Sequence, residues 1–190
     1  DDHRPSNAYS ASKAASEDIC YQYWRSGEVK LIITNTMNNF GEFQSVSKYP
    51  VIIQQKLDKG ERLTVHGNDR EIGTRYYIHS RNAADALLFI LQNLPPHEHQ
   101  LGELDDPDMY HIVGDEQLDN LELAQRIAGL MGKKLNYQMV DFHSDNPAHD
   151  IHYGLQDNKL RKAGWRQPVS FDESMASTIK WQQEHPEWLI

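Results

Sequence analysis

The sequence holds a single cysteine, Cys20, in 190 residues. No internal disulfide can form, and no metal site can be built from cysteines alone. A reducing cytoplasm is the expected compartment. Long apolar runs are missing too. The longest, from Ala83 to Leu91, is interrupted by Asp85 and is far too short to span a bilayer. No basic, apolar and small-residue succession opens the chain, so no signal peptide is expected. Positive charge is scarce, with 19 Lys and Arg against 28 Asp and Glu and a net charge of -9. No cationic cluster can neutralise a run of phosphates, which excludes a nucleic-acid surface. A small phosphorylated ligand needs only one or two local cations and stays open. A Gly-x-x-Gly-x-x-Gly loop after a strand is also absent, so the usual phosphate cradle at a helix N-terminus is missing. The first residue is Asp rather than Met, and 1–5 reads like the end of a loop. The expectation is a fragment that begins in mid-domain.

What is present is an ordinary globular composition, 38% hydrophobic and 25% charged, which is too apolar for a disordered chain. Helix and strand signals alternate. Ser6 and Asn7 are both good caps for a helix from Ala8 to Trp24 whose Ala8, Ala11, Ala15, Ile19 and Tyr23 recur at helical spacing, with release at Gly27. Val29 to Thr34 reads as a buried parallel strand. Helices are expected over 48–57, from an Asn82 cap to Leu91, from an Asn120 cap to Met131, and near 158–163 and 171–183. Strands are expected at 63–65, 76–78, 110–113 and 135–140, and an acidic loop at 97–107. Such alternation predicts a layered α/β or α+β fold and excludes all-α and all-β readings.

One pair stands out for chemistry. Tyr9 and Lys13 are four residues apart, so on a helix they share a face and can approach one ligand atom. A tyrosine is a poor base at neutral pH unless a neighbouring cation favours its phenolate. With nine tyrosines in the chain the spacing alone is weak, and a surface helix carrying an unrelated Tyr and Lys explains it equally well.

The surrounding residues change that balance. The phrase from Pro5 to Glu17, PSNAYSASKAASE, resembles the catalytic helix of the extended short-chain dehydrogenases/reductases, the NAD-dependent epimerase/dehydratase family. It is most similar to the dTDP-glucose 4,6-dehydratase branch. The run from Thr34 to Gly41, TNTMNNFG, looks like the family's strand-end segment beside cofactor and sugar diphosphate. Gly73 to His79, GTRYYIH, is similar to the stretch whose arginine grips the diphosphate. PAHD (147–150) and KLRKAGW (159–165) match the closing boxes in order.

The resemblance implies an α/β fold: the C-terminal part of a Rossmann-type doubly wound sheet up to about residue 36, then mainly a smaller α/β substrate-binding lobe over 37–190, with some elements returning to the Rossmann domain. It implies NAD as cofactor, with Tyr9 as acid/base on the oxidised sugar hydroxyl, Lys13 holding the nicotinamide ribose, and Asn35 beside them. On the substrate side it implies Asn38 or Asn39 on a phosphate oxygen and Lys48 near the nucleotide. Arg75 would pair with the diphosphate, and His111, His149 and Asp150 would lie around the nucleotide. A guanidinium suits that task, since its planar fork orients phosphate oxygens as well as attracting them. The implied partners are a nucleotide-diphosphate sugar and a second copy in a homodimer through the Tyr9 helix. The implied context is deoxysugar synthesis for polysaccharides. Without the Gly-rich loop, no turnover is expected from these residues alone.

The sequence departs from the dehydratase pattern around the nucleotide. His111 stands where the family has Asn, Asn146 where it has Arg, Ala148 where it has Gly, and His152 where Arg often follows; two residues are added ahead of Arg75. The base and sugar therefore stay open, and so do epimerase, decarboxylase and binding-only alternatives. Ten histidines invite a metal, His143, His149 and His152 above all. They sit in Pro-rich or acidic loops without the rigid frame and supporting partners a zinc site uses, so no metal is assigned. The acidic stretch 103–108 lacks the glycine and terminal glutamate of a calcium loop.

Overall fold

Asn7 starts the first helix as its residue type suggests, its side-chain oxygen accepting the Ser10 backbone N–H at 2.9 Å. In this computed structural model residues 5–67, 71–98, 106–141 and 151–189 are described. Helix α1 (Ala8–Arg25) runs to a Ser26 cap, and Gly27 takes a positive φ of 73° that suits glycine. Its periodic stripe does not face a core. Ile19 and Tyr23 are exposed, and Trp24 is the one buried residue of the helix. The far end of α1 is tied to the rest of the chain. There the Trp24 indole donates to His97 O at 3.3 Å, and Arg25 pairs with Asp106 at 3.0 Å.

Strand β1 (Ile32–Thr36) begins three residues later than the apolar run, and it is half-buried rather than buried. It pairs in parallel with β5 (Asp108–Ile112), Asn35 opposite His111, and among the described residues with no other strand. A second sheet is built around β4 (Thr74–His79). Its second half pairs in parallel with β2 (Asn38–Phe40). Its first half lies between β6 (Gln117–Asp119), antiparallel, and β8 (His152–Tyr153), parallel. Arg75 thus stands in register with Leu118 on one side and Tyr153 on the other. A third pair joins β3 (Leu63–His66) to β7 (Tyr137–Val140) in parallel.

The helices cover these sheets in two groups. Helix α2 (Tyr49–Lys59), α4 (Asn120–Leu130) and α6 (Phe171–Glu184) close one core around Phe40, Ile53, Leu63, Leu123, Ile127 and Met175. Helix α3 (Ser80–Asn93) and the short α5 (Asn158–Lys162) close the other, where Ile78, Ala86, Ile90, Ile112, Leu160 and Trp165 meet. A 3₁₀ turn spans Pro186–Leu189. Two expected caps move. Helix α3 starts earlier, capped by the His79 ring accepting Arg81 N–H at 3.1 Å, while the Asn82 amide, buried, donates to Val169 O at 2.8 Å. Helix α4 is capped by Asp119, which accepts Glu122 N–H at 2.7 Å, rather than by Asn120. In both places a nearer acceptor takes the free amide of the first turn.

Buried polar groups tie the segment after β2 to its neighbours. Glu42 is buried, pairs with Arg81, and lies 3.3 Å from the His79 ring. Its backbone carbonyl accepts Gln182 Nε2 from α6 at 3.3 Å.

Candidate functional site

A cleft of about 780 Å³ opens between α1 and β1. Tyr9, Lys13 and Asn35 line it together, so the structure gathers the three residues assigned to proton transfer and cofactor. The helix supplies Tyr9 and Lys13 one turn apart on a shared face, and the end of β1 supplies the amide. Tyr9 is 74% exposed. The Asn35 amide also donates to the Met109 sulfur at 3.5 Å. Glu17 and Cys20 of the helix line it too, as do Tyr153 and Leu155. Those last two were not read from the sequence; β8 brings them in, and no local pattern around them signals it.

Two other tyrosines are unavailable as bases. Burial and a 3.0 Å bond donated to Glu17 push Tyr21 up to about 12. Burial pushes Tyr77 up to about 12 despite the opposing charge of Arg75. Both stay protonated at neutral pH.

The proposed substrate residues are more dispersed. Arg75 does not line the cleft itself. Its Nη1 donates to Thr74 O and Ile151 O at 2.7 Å, and its guanidinium carbon lies 5.9 Å over the Tyr153 ring centroid. Asn38 and Asn39 are exposed on β2, opposite Tyr77 and Ile78, and away from the cleft lining. Lys48 is exposed at the N-cap position of α2. His111 sits beside Asn35 across the β1–β5 pairing, its ring nitrogen bonded to Gln156 O at 2.9 Å. His149 and Asp150 lie outside the described residues, as does His143. His152 is locally bonded, to Thr74 Oγ1 at 2.8 Å and to Glu71 at 3.0 Å. Among the described residues, no three His, Cys, Asp or Glu side chains gather to hold a metal, and no helix is long and apolar enough to cross a membrane.

A smaller cavity of about 260 Å³ shares Leu155 with the cleft and is lined by Tyr76, Asp115, Gln156 and Arg161. Gly114 stands at its edge, where β5 ends against β4. A Cβ there would meet Tyr77 O at 2.0 Å, so only glycine permits that approach.

A cleft walled by a Tyr-x-x-x-Lys helix on one side and by a strand of a parallel pair on the other belongs to an α/β fold of the Rossmann type. The model of the NAD dependent epimerase/dehydratase family matches residues 1–102, and the chain belongs to that family. A dTDP-glucose 4,6-dehydratase of Haemophilus influenzae is 28% identical over 189 residues, covering 94% of this chain and 52% of the relative. The dTDP-D-glucose 4,6-dehydratase of Homo sapiens is 26% identical, covering 96% and 50%. The chain spans about half the length of the curated relatives it matches. Among solved structures, the Streptomyces venezuelae dTDP-glucose 4,6-dehydratase DesIV, with NAD bound, superposes with a TM-score of 0.81 at 27% identity, over 97% of this chain and 53% of that one. A Thermus thermophilus UDP-glucose 4-epimerase in complex with NAD shares the fold, with a TM-score of 0.76 at 24% identity over 95% and 55%. The expected α/β architecture with parallel sheets thus holds over the matched half of these enzymes.

Proposed function

We propose that this chain provides the catalytic helix and the sugar-nucleotide side of an NAD-dependent nucleotide-sugar 4,6-dehydratase. The observation that carries the reading is the gathering of Tyr9, Lys13 and Asn35 around one cleft. A hydroxyl, an ammonium and an amide there suit the nicotinamide ribose end of NAD. The phosphate cradle for the rest of the dinucleotide is not among these 190 residues. When bound there, NAD would supply the hydride-transfer chemistry at the sugar.

The chain's own residues do the remaining work on this side. Tyr9 takes the proton of the sugar hydroxyl as the carbon bearing it gives up a hydride and becomes a ketone. Lys13, one helical turn on, holds the ribose hydroxyls and places a positive charge on the Tyr9 face. Asn35 fixes the ring edge from the strand. Arg75 pairs with the diphosphate, Asn38 or Asn39 bonds a phosphate oxygen, Lys48 contacts the nucleotide, and the resemblance puts His111, His149 and Asp150 around it. Anchoring that tail holds the sugar against the reactive face, where a small misplacement is costly.

The reading extends to the assembly. The exposed stripe of α1, with Ile19 58% exposed, suits a helix packed against its copy in a homodimer. Residues 1–36 complete the cofactor domain and 37–190 mainly form the substrate lobe, in a cytoplasmic enzyme of deoxysugar synthesis. Epimerisation or decarboxylation within the same family uses the same Tyr9 and Lys13 and is the second reading.

The test is a polypeptide of the relatives' length carrying this chain, incubated with NAD and dTDP-, UDP-, CDP- and GDP-hexoses, with products identified by mass. Loss of one water from a single sugar nucleotide is expected. Unchanged mass with an altered stereocentre would replace dehydratase by epimerase. No change with any of them would overturn both.

A further inference from the structure

Tyr153 links two parts of the site that otherwise share no residue. It lines the cleft with Tyr9 and Lys13, and its ring lies under the Arg75 guanidinium. The link is built into the sheet. Arg75 and Tyr153 are register partners on adjacent parallel strands, so their side chains leave the sheet on the same face. Backbone carbonyls fix the arginine from two directions: Thr74 O on its own strand, and Ile151 O just before β8, each at 2.7 Å. The strand behind the ring is fixed as well. A Cβ at Gly154 would stand 3.0 Å from the Tyr76 ring, so β8 is packed closely against β4.

A guanidinium over an aromatic face is attracted by the ring quadrupole, and loses less hydration than an ammonium would in lying there. Tyr153 is 43% exposed, which puts the attraction at the weaker end, equivalent to about two- to fivefold in an equilibrium constant.

We propose that Tyr153 is a positioning residue that holds Arg75 at the edge of the Tyr9–Lys13 cleft. This rests on the reading of Arg75 as the diphosphate's partner. The tyrosine acts through the arginine, so its effect is confined to ligands that carry the diphosphate.

The test is calorimetric titration of the same longer polypeptide with UDP and dTDP, and with uridine and thymidine as controls. The proteins are the unaltered form, Arg75→Ala, Tyr153→Phe, Tyr153→Leu and the Arg75→Ala/Tyr153→Leu double variant. Tyr153→Leu is expected to weaken the better-bound diphosphate about two- to fivefold and leave the nucleosides unchanged. Tyr153→Phe, which keeps the ring face, restores affinity. In the Arg75→Ala background, Tyr153→Leu adds nothing, which a merely structural role would not produce. Tyr153→Leu without effect, while Arg75→Ala weakens binding, overturns the proposal alone. Equal weakening in both backgrounds, or weakened nucleoside binding, overturns it too. Arg75→Ala without effect removes the reading beneath it, and the proposal falls with it.

Discussion

Gln54 and Gln182 form a buried polar pair whose loss can be worked through from the structure. Both are 1% exposed, and the Gln54 amide donates to Gln182 Oε1 at 2.7 Å. Gln182 Nε2 goes on to the Glu42 carbonyl at 3.3 Å, while Gln54 Nε2 reaches Pro50 O only at 3.4 Å. Three segments meet there: α2, α6 and the turn after β2. Replacing one partner by leucine keeps the volume but strands the other amide, and a stranded buried group costs about 1–3 kcal/mol. Gln182→Leu strands the Gln54 donor and the Glu42 carbonyl together, so it falls near the upper end. Gln54→Leu strands only the Gln182 acceptor and falls near the lower. The double variant removes both sides at once, and its loss is smaller than the sum of the singles by about 1 kcal/mol or more. Urea unfolding of the four proteins measures this, with unchanged m-values showing that only stability moved. Losses that add to within about 0.5 kcal/mol would refute the reasoning, because independent sites behave that way.

Gly114→Ala is expected to lower the melting temperature sharply. Its Cβ falls 1.4 Å short of the 3.4 Å at which ordinary contact begins, and the obstacle is the Tyr77 backbone, which cannot swing aside. A loss of about 3 kcal/mol, the upper end for overpacking, is the expected result of thermal unfolding; a loss under about 1 would contradict it. Asp108 provides a pH signature. Burial opposes its charge, but hydrogen bonds from Lys159 at 2.6 Å and His97 at 2.9 Å outweigh that and bring the carboxyl down from 3.8 to about 2. The folded value lies below the unfolded one, so the stabilisation is full above about pH 4 and is lost as pH falls towards 2. Stability of the protein and of Asp108→Asn should therefore converge across that window, and parallel curves would refute the assignment.

How much could be read from the sequence followed from sequence distance. Tyr9 and Lys13 are placed by one helix, so their spacing and surrounding phrase located half of the cleft. Helices α2, α3 and α4 carry enough apolar periodicity to be seen. Strands β2, β6 and β8, of three, three and two residues, are too short for alternation to register, and they exist only because β4 pairs with them. Tyr153 went unread for that reason, since its relation to Arg75 is made by a strand pairing across the chain. The stripe on α1 was legible as a pattern, but the pattern cannot say what covers it. The Asn82 and Asn120 caps failed because residue type favours a cap, while geometry decides which neighbour reaches the free amide. Asn38 and Asn39 were found by resemblance, and their exposed place on β2 could not be derived from spacing.

The central claim is that Tyr9 performs the proton transfer coupled to oxidation of the sugar. The most direct measurement mixes the longer polypeptide, loaded with NAD, with the sugar nucleotide that yields product, and follows NADH absorbance within a single turnover. A transient of NADH in the unaltered protein, slowed by about a hundredfold or more in Tyr9→Phe, is the predicted result. A Tyr9→Phe protein that forms NADH at the unaltered rate would contradict the account.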